Sequence, residues 1–213
     1  AGDPGRVGGH ADVLADGRPE LGAHVLNNSW GCPPQEGCDP DALLPAVRAL
    51  RAAGVFVVAS AGNNGPSCES IDSPPAHYDE VFTVGATDEA NTVANFSSRG
   101  PVSADGSGRT KPDIAAPGVG ILSAYPGGTY EYNDGTSMAG PHVVGVVALM
   151  WSANPALIGD IDRTEQILIE TAQITEHYAV SPTCGDPETR PNNLVGYGVV
   201  NAFAAVEMAL AEP

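Results

Sequence analysis

A chain of 213 residues with 42% hydrophobic and 6% aromatic side chains has the makings of one α/β domain or a large piece of one, and excludes collagen-like, coiled-coil and disordered classes. Its 26 acidic and 9 basic residues, with Lys111 the only lysine, leave a formal net charge of -17, which repels phosphate backbones and speaks against nucleic acid as a partner. No apolar run reaches the ~18 residues of a membrane span, so no membrane partner is expected either.

The chain opens on Ala1 and meets its first methionine at Met138, so a processed product or a fragment is expected. Residues 1–21 are rich in Gly, Asp and Pro and read as loop around at most one short helical or extended piece; His10 there is better taken as a solvated residue than as a base or ligand. His24 to Asn28 reads as a short strand. Pro40 to Ala53 reads as a helix started near Asp39 or Asp41 and stopped by Gly54, and Val55 to Ala59 as a continuous apolar strand. Strand, helix and doubly buried strand make a βαβ unit, so the two strands are expected to be parallel. Ligands of open parallel sheets bind beyond the carboxyl ends of the strands. Ser29-Trp30-Gly31 and Ser60-Ala61-Gly62-Asn63-Asn64-Gly65 both fall at that edge, although plain turns would use the same residues. Glu69 and Asp72 follow in the next loop, where an acid would favour basic residues in a substrate or simply be solvated; His77 has no motif around it.

Val81 to Ala86 is a further strand. Phe96-Ser97-Ser98-Arg99-Gly100-Pro101 and the short strand ended by Pro117 look structural. Ile121 to Tyr125 and Thr129 to Tyr132 flank Pro126-Gly127-Gly128 as a hairpin, which delivers the chain to Gly135-Thr136-Ser137-Met138-Ala139-Gly140-Pro141-His142. Pro141 fits only the first turn of a helix, which places the start near Thr136 or Ser137, with Ser137 at the positive end of the macrodipole. From Val143 to Trp151 no side chain is polar, which predicts a helix buried on all sides. Helices from about Arg163 to Thr171 and from Asn201 to Leu210 complete the chain, with no repeat, linker or second domain. The four cysteines show no C-x-x-C pairing. Cys32 and Cys38 bracket a loop that one bridge would close, which leaves Cys68 and Cys184 to pair; such bridges argue for an oxidising, extracellular setting.

Serine is an ordinary N-cap, but Gly135 and Gly140 keep side chains off both flanks of Ser137, as a substrate backbone approaching the hydroxyl requires. The spacing Gly-x-Ser-x-x-Gly differs from the Gly-x-Ser-x-Gly elbow. Gly-Thr-Ser-Met-Ala followed closely by Pro-His resembles the nucleophile motif of the subtilisin-like serine proteases, the subtilases. Ala61-Gly62-Asn63, Phe-Ser-Ser-x-Gly-Pro, Lys111 to Gly118 and Gly196 to Ala202 resemble further family segments, so the likeness runs from about Val25 to Leu210. It implies an α/β fold, a mostly parallel twisted sheet with helices on both faces, incomplete at the N-terminal side, as the C-terminal portion of a single catalytic domain.

By the same resemblance Ser137 is the nucleophile of a peptide-hydrolysing acyl-enzyme and Asn63 the oxyanion donor. Ser29-Trp30-Gly31 becomes an edge that pairs with extended peptide, and Ser60-Ala61-Gly62 a wall of the specificity pocket. A serine needs a base and a carboxylate that orients it, and the family's Asp-Thr-Gly-like and His-Gly-Thr-His-like segments do not occur here. His142 lies about 140° around the helix from Ser137 and reads as a buried core histidine, and His177 lies in a polar tail. The expected partners are therefore a peptide or protein substrate and an upstream segment carrying Asp and His, whose absence should leave an unpaired strand edge or an exposed apolar face. No cofactor is identified and no metal ligands can be named; calcium enters through the resemblance alone. The competing readings are a non-catalytic peptide-binding or structural module of the same family, and an unrelated α/β enzyme.

Overall fold

The structure, a computed structural model, describes residues 22–33, 36–174 and 181–213. His10 and His177 lie outside them.

Strands β1 (Val25–Asn28), β2 (Phe56–Ser60), β3 (Phe82–Thr87) and β4 (Ile114–Pro117) form one sheet in the order β1-β2-β3-β4, all neighbours parallel. β2 is buried throughout, and its alternation divides the core. Phe56 and Val58 pack with β3, β4 and the helices of one face, while Val57 and Ala59 pack with Val47 and Ile71 on the other. Helix α1 (Leu44–Ala52) covers this second face through Val47. It starts at Leu44 rather than near Pro40, because residues 40–43 form a turn and Pro45 occupies the first helical turn. A hairpin of β5 (Ile121–Tyr125) and β6 (Thr129–Asn133) follows β4.

Helix α2 (Thr136–Ala153) crosses the first face and touches all four strands. Helices α3 (Ile161–Glu170) and α4 (Ala202–Ala211) lie on the same side, each capped by a side chain that accepts from the helix: Asp160 from the Arg163 N–H, and Asn201 from the Ala204 N–H. Helices thus stand on both faces of a parallel sheet, as an α/β chain of this kind requires.

The burial of α2 departs from expectation. Val143, Val146, Val147 and Met150 are buried, but Pro141, Gly145, Ala148 and Leu149 form an exposed stripe at helical spacing, with Leu149 55% accessible. An apolar helix cannot be buried where no neighbouring element covers it. Among the described residues β1 is also a sheet edge, with Val25 and Leu26 only half-buried, so that the expected unpaired edge and exposed apolar face are both seen there.

The Cα atoms of Cys32 and Cys38 are 5.8 Å apart and those of Cys68 and Cys184 5.3 Å, so both expected pairs lie at disulfide distance.

Candidate active site

Ser137 sits in the first turn of α2, above the carboxyl ends of β1 and β2, and two sets of hydrogen bonds hold it there. The Ser60 hydroxyl at the end of β2 donates to the Thr136 carbonyl at 3.0 Å. The Ser29 hydroxyl, just past β1, donates to the Ser137 carbonyl at 3.1 Å and accepts from the Asn27 amide at 2.8 Å. α2 presses closely onto β1: a Cβ built on Gly140 would come within 2.6 Å of Asn27 Oδ1, so any larger residue would have to push the Asn27 side chain aside. The Ser137 hydroxyl, half-buried, makes a long 3.4 Å bond to the Ser29 carbonyl.

Asn63 is placed from the other side. Its Oδ1 accepts from the Thr136 backbone N–H at 3.0 Å and from the Thr136 hydroxyl at 2.9 Å, while that hydroxyl accepts from the Gly62 N–H at 3.2 Å. Gly62 adopts φ +103°, and a Cβ there would crowd Ser98 Oγ at 2.9 Å. With Oδ1 doubly held, the amide turns Nδ2 toward Gly135. A Cβ built on Gly135 would stand 3.6 Å from Asn63 Nδ2 and 3.6 Å from the Ser137 backbone nitrogen, so both N–H donors border one small space.

Ser29, Trp30, Gly31, Ser60, Ala61, Gly62, Asn63 and Ser137, the whole set singled out in the sequence, line one cleft of about 220 Å³. No hydrogen bond among the described residues occupies the Trp30 or Gly31 backbone groups. Thr136, Asp72 and Ser73 line the cleft too. Thr136 carried no separate signal, because threonine beside a serine at a helix start reads as a second cap. Glu69, by contrast, is exposed and does not line it.

Across Ser137 a second cavity of about 290 Å³ is lined by Ile121, Leu122, Met138, Pro141 and His142. His142 is only half-buried, against expectation, because it borders this open space; its Nδ1 is 2.9 Å from the Met138 carbonyl one turn back. His77 is fully buried away from the cleft, edge-on to Tyr78 with ring centres 4.6 Å apart, and burial holds its pKa below the ordinary 6.5. Among the described residues no three His, Cys, Asp or Glu side chains gather in a way that could hold a metal ion.

A parallel sheet carrying a central helix, with a serine in its first turn and an asparagine amide beside it at the sheet's carboxyl edge, defines an α/β protein built around a serine-bearing cleft. The chain belongs to the subtilase family, whose model matches residues 9–198. That match starts upstream of Val25, among residues outside the described ones. The chain is 43% identical over 199 residues to bacillopeptidase F of Bacillus subtilis (strain 168), covering 92% of this chain and 13% of that protein. It is 40% identical over 185 residues to Subtilisin BL of Lederbergia lenta, covering 86% of this chain and 56% of that protein. Among solved structures it superimposes on the prenylagaramide maturation protease PagA with a TM-score of 0.68 at 29% identity, over 88% of this chain and 62% of that one. The chain therefore spans little more than half of Subtilisin BL and a small part of bacillopeptidase F.

Proposed function

We propose that this chain is the C-terminal portion of the catalytic domain of a serine endopeptidase, with Ser137 as the nucleophile. The observation that supports this best is the double anchoring of Asn63 Oδ1 by Thr136, which turns Nδ2 and the Ser137 N–H toward one space beside Gly135. Two fixed donors at one point suit the oxygen of a tetrahedral intermediate, which gains negative charge as Ser137 Oγ adds to the scissile carbonyl. The Trp30-Gly31 edge pairs with extended peptide, and Ser60-Ala61-Gly62 walls the pocket for the side chain next to that carbonyl.

The base and its carboxylate come from an upstream segment seated against the open side of Ser137. The exposed stripe of α2 and the free edge of β1 give such a segment its docking face. The base takes the Ser137 proton as the acyl-enzyme forms and returns it to the leaving amine. The disulfide-distance pairs support a secreted setting.

The test uses a serine-directed phosphonate. The full-length protein is expected to be labelled at Ser137 and Ser137→Ala not at all, while the isolated 213-residue chain reacts no faster than ordinary surface serines until the upstream segment is restored. Asn63→Ala is expected to lower kcat by about 10²–10³, a figure carried over from subtilisin rather than worked from these distances. Rapid labelling of the isolated chain would show that it carries its own base. A full-length protein that is folded yet unlabelled would favour the non-catalytic module.

A further inference from the structure

Among the described residues Asp72 is the one charged side chain lining the Ser137 cleft; every other lining residue is neutral. It is half-buried, and the Ser73 hydroxyl donates to its Oδ1 at 2.8 Å, which fixes the carboxylate while leaving Oδ2 without a partner among the described residues. It belongs to no ion pair there. Arg109 is engaged by Asp105 and the His77 carbonyl, and Lys111 by Asp113 and the Val81 carbonyl. A carboxylate held in a cleft with no protein cation to meet it is a receptor for a cation brought from outside.

The surroundings fix which cation. Ala61 and Ala76, both buried, offer the cleft apolar surface beside Asp72. An apolar stem ending in a charge matches that arrangement, with methylenes on the alanines and the charged head at Oδ2. With the scissile carbonyl at Ser137 and its oxygen toward Asn63, the side chain on the same residue is the one that reaches between Ser60-Ala61-Gly62 and Asp72. From this we infer that the cleft selects arginine or lysine immediately before the scissile bond and that Asp72 determines this specificity. The inference rests on the endopeptidase reading. The net charge of -17 works in the same direction by drawing cationic segments toward the protein.

The test compares fluorogenic peptides, identical except for Arg, Lys, Leu, Phe or Glu before the scissile bond, on the full-length protein and its Asp72→Asn variant. Arg and Lys peptides are expected to lead in kcat/KM, and Asp72→Asn to lower kcat/KM for them by about 10–100-fold while the Leu peptide changes less than about threefold. A readout free of chemistry uses Ser137→Ala with the fluorescent cation p-aminobenzamidine, which should bind and should bind at least about tenfold more weakly once Asp72→Asn is added. Turnover with no basic preference, or a preference that survives Asp72→Asn, overturns the inference and leaves the endopeptidase reading standing. Probe binding indifferent to Asp72 overturns it as well, the carboxylate then being a solvated acid of the cleft. A full-length protein that cleaves none of the peptides but binds the probe through Asp72 keeps the cationic subsite and overturns the endopeptidase reading instead.

Discussion

Thr136→Val in the full-length protein isolates the anchoring of Asn63. Thr136 is 1% accessible, and its hydroxyl serves two neighbours, donating to Asn63 Oδ1 at 2.9 Å and accepting from the Gly62 N–H at 3.2 Å. Valine keeps the shape and removes both bonds. Asn63 Oδ1 then retains only the Thr136 backbone N–H at 3.0 Å, and the Gly62 N–H loses its acceptor. The orphaned donor should cost about 1–3 kcal/mol of stability, read as a lowered urea midpoint. Loss of one of two anchors loosens the Asn63 amide without deleting it, so kcat should fall by about tenfold, or about 1.4 kcal/mol of transition-state stabilisation. In the proposed mechanism KM should hold, because the amide would meet charge only as the oxyanion develops. Thr136→Ser keeps the hydroxyl and should recover most of the rate. Wild-type kcat in Thr136→Val, or an equal loss in Thr136→Ser, would refute the anchoring argument.

The two cysteine pairs should differ in what they contribute. In the chain-entropy picture, Cys68–Cys184, at a sequence separation of 116, restricts the unfolded chain by about 5 kcal/mol and Cys32–Cys38, at a separation of 6, by about 2 kcal/mol; denaturant titration of Cys→Ser double variants checks the order. Burial of His77 lowers its folded pKa below the 6.5 of the unfolded imidazole, so the unfolded state binds the proton first as pH falls. The His77 contribution is therefore complete above about pH 6.5 and declines as pH drops toward the folded pKa; His77→Gln should flatten that part of the stability curve, and an unchanged slope would exclude His77 as its source.

Much of this structure was legible in the sequence because its signals are local. Val55 to Ala59 is apolar at every position, and the strand proves to be packed on both faces, with Phe56 and Val58 turned one way and Val57 and Ala59 the other. The start of α2 was legible to within a residue, but Pro141 is the sixth helical residue and lies inside α2 rather than in its first turn; the Ser137 carbonyl that its missing N–H leaves free accepts from the Ser29 hydroxyl instead. Proline also misled: Pro40 read as a helix start, where the chain makes a turn and Pro45 takes the helical position. What was not legible depends on contacts distant in sequence. Nothing in Ser-Ile-Asp-Ser-Pro distinguishes Asp72, which reaches the cleft, from Glu69, which faces water, because loop acids carry no periodicity. Thr136 reads as a cap until Asn63, 73 residues earlier, is seen to bond to it.

The composition of α2 adds a different kind of argument. A helix built only for the neighbours present here would place polar residues at Gly145, Ala148 and Leu149, since water meets that side. Its sequence is apolar there instead, and so are the half-buried Val25 and Leu26 of edge strand β1. Hydrophobic patterning answers to the complete set of contacts in which a chain was selected, whereas accessibility answers only to those at hand. The mismatch therefore marks surface shaped for a cover. It lies on the helix that carries Ser137, beside the cavity bordered by His142, and a base that is to reach the Ser137 hydroxyl has to approach from that open side. In the proposed reading, one segment that covers the stripe and also brings a histidine and a carboxylate to Ser137 accounts for the apolar residues on this side.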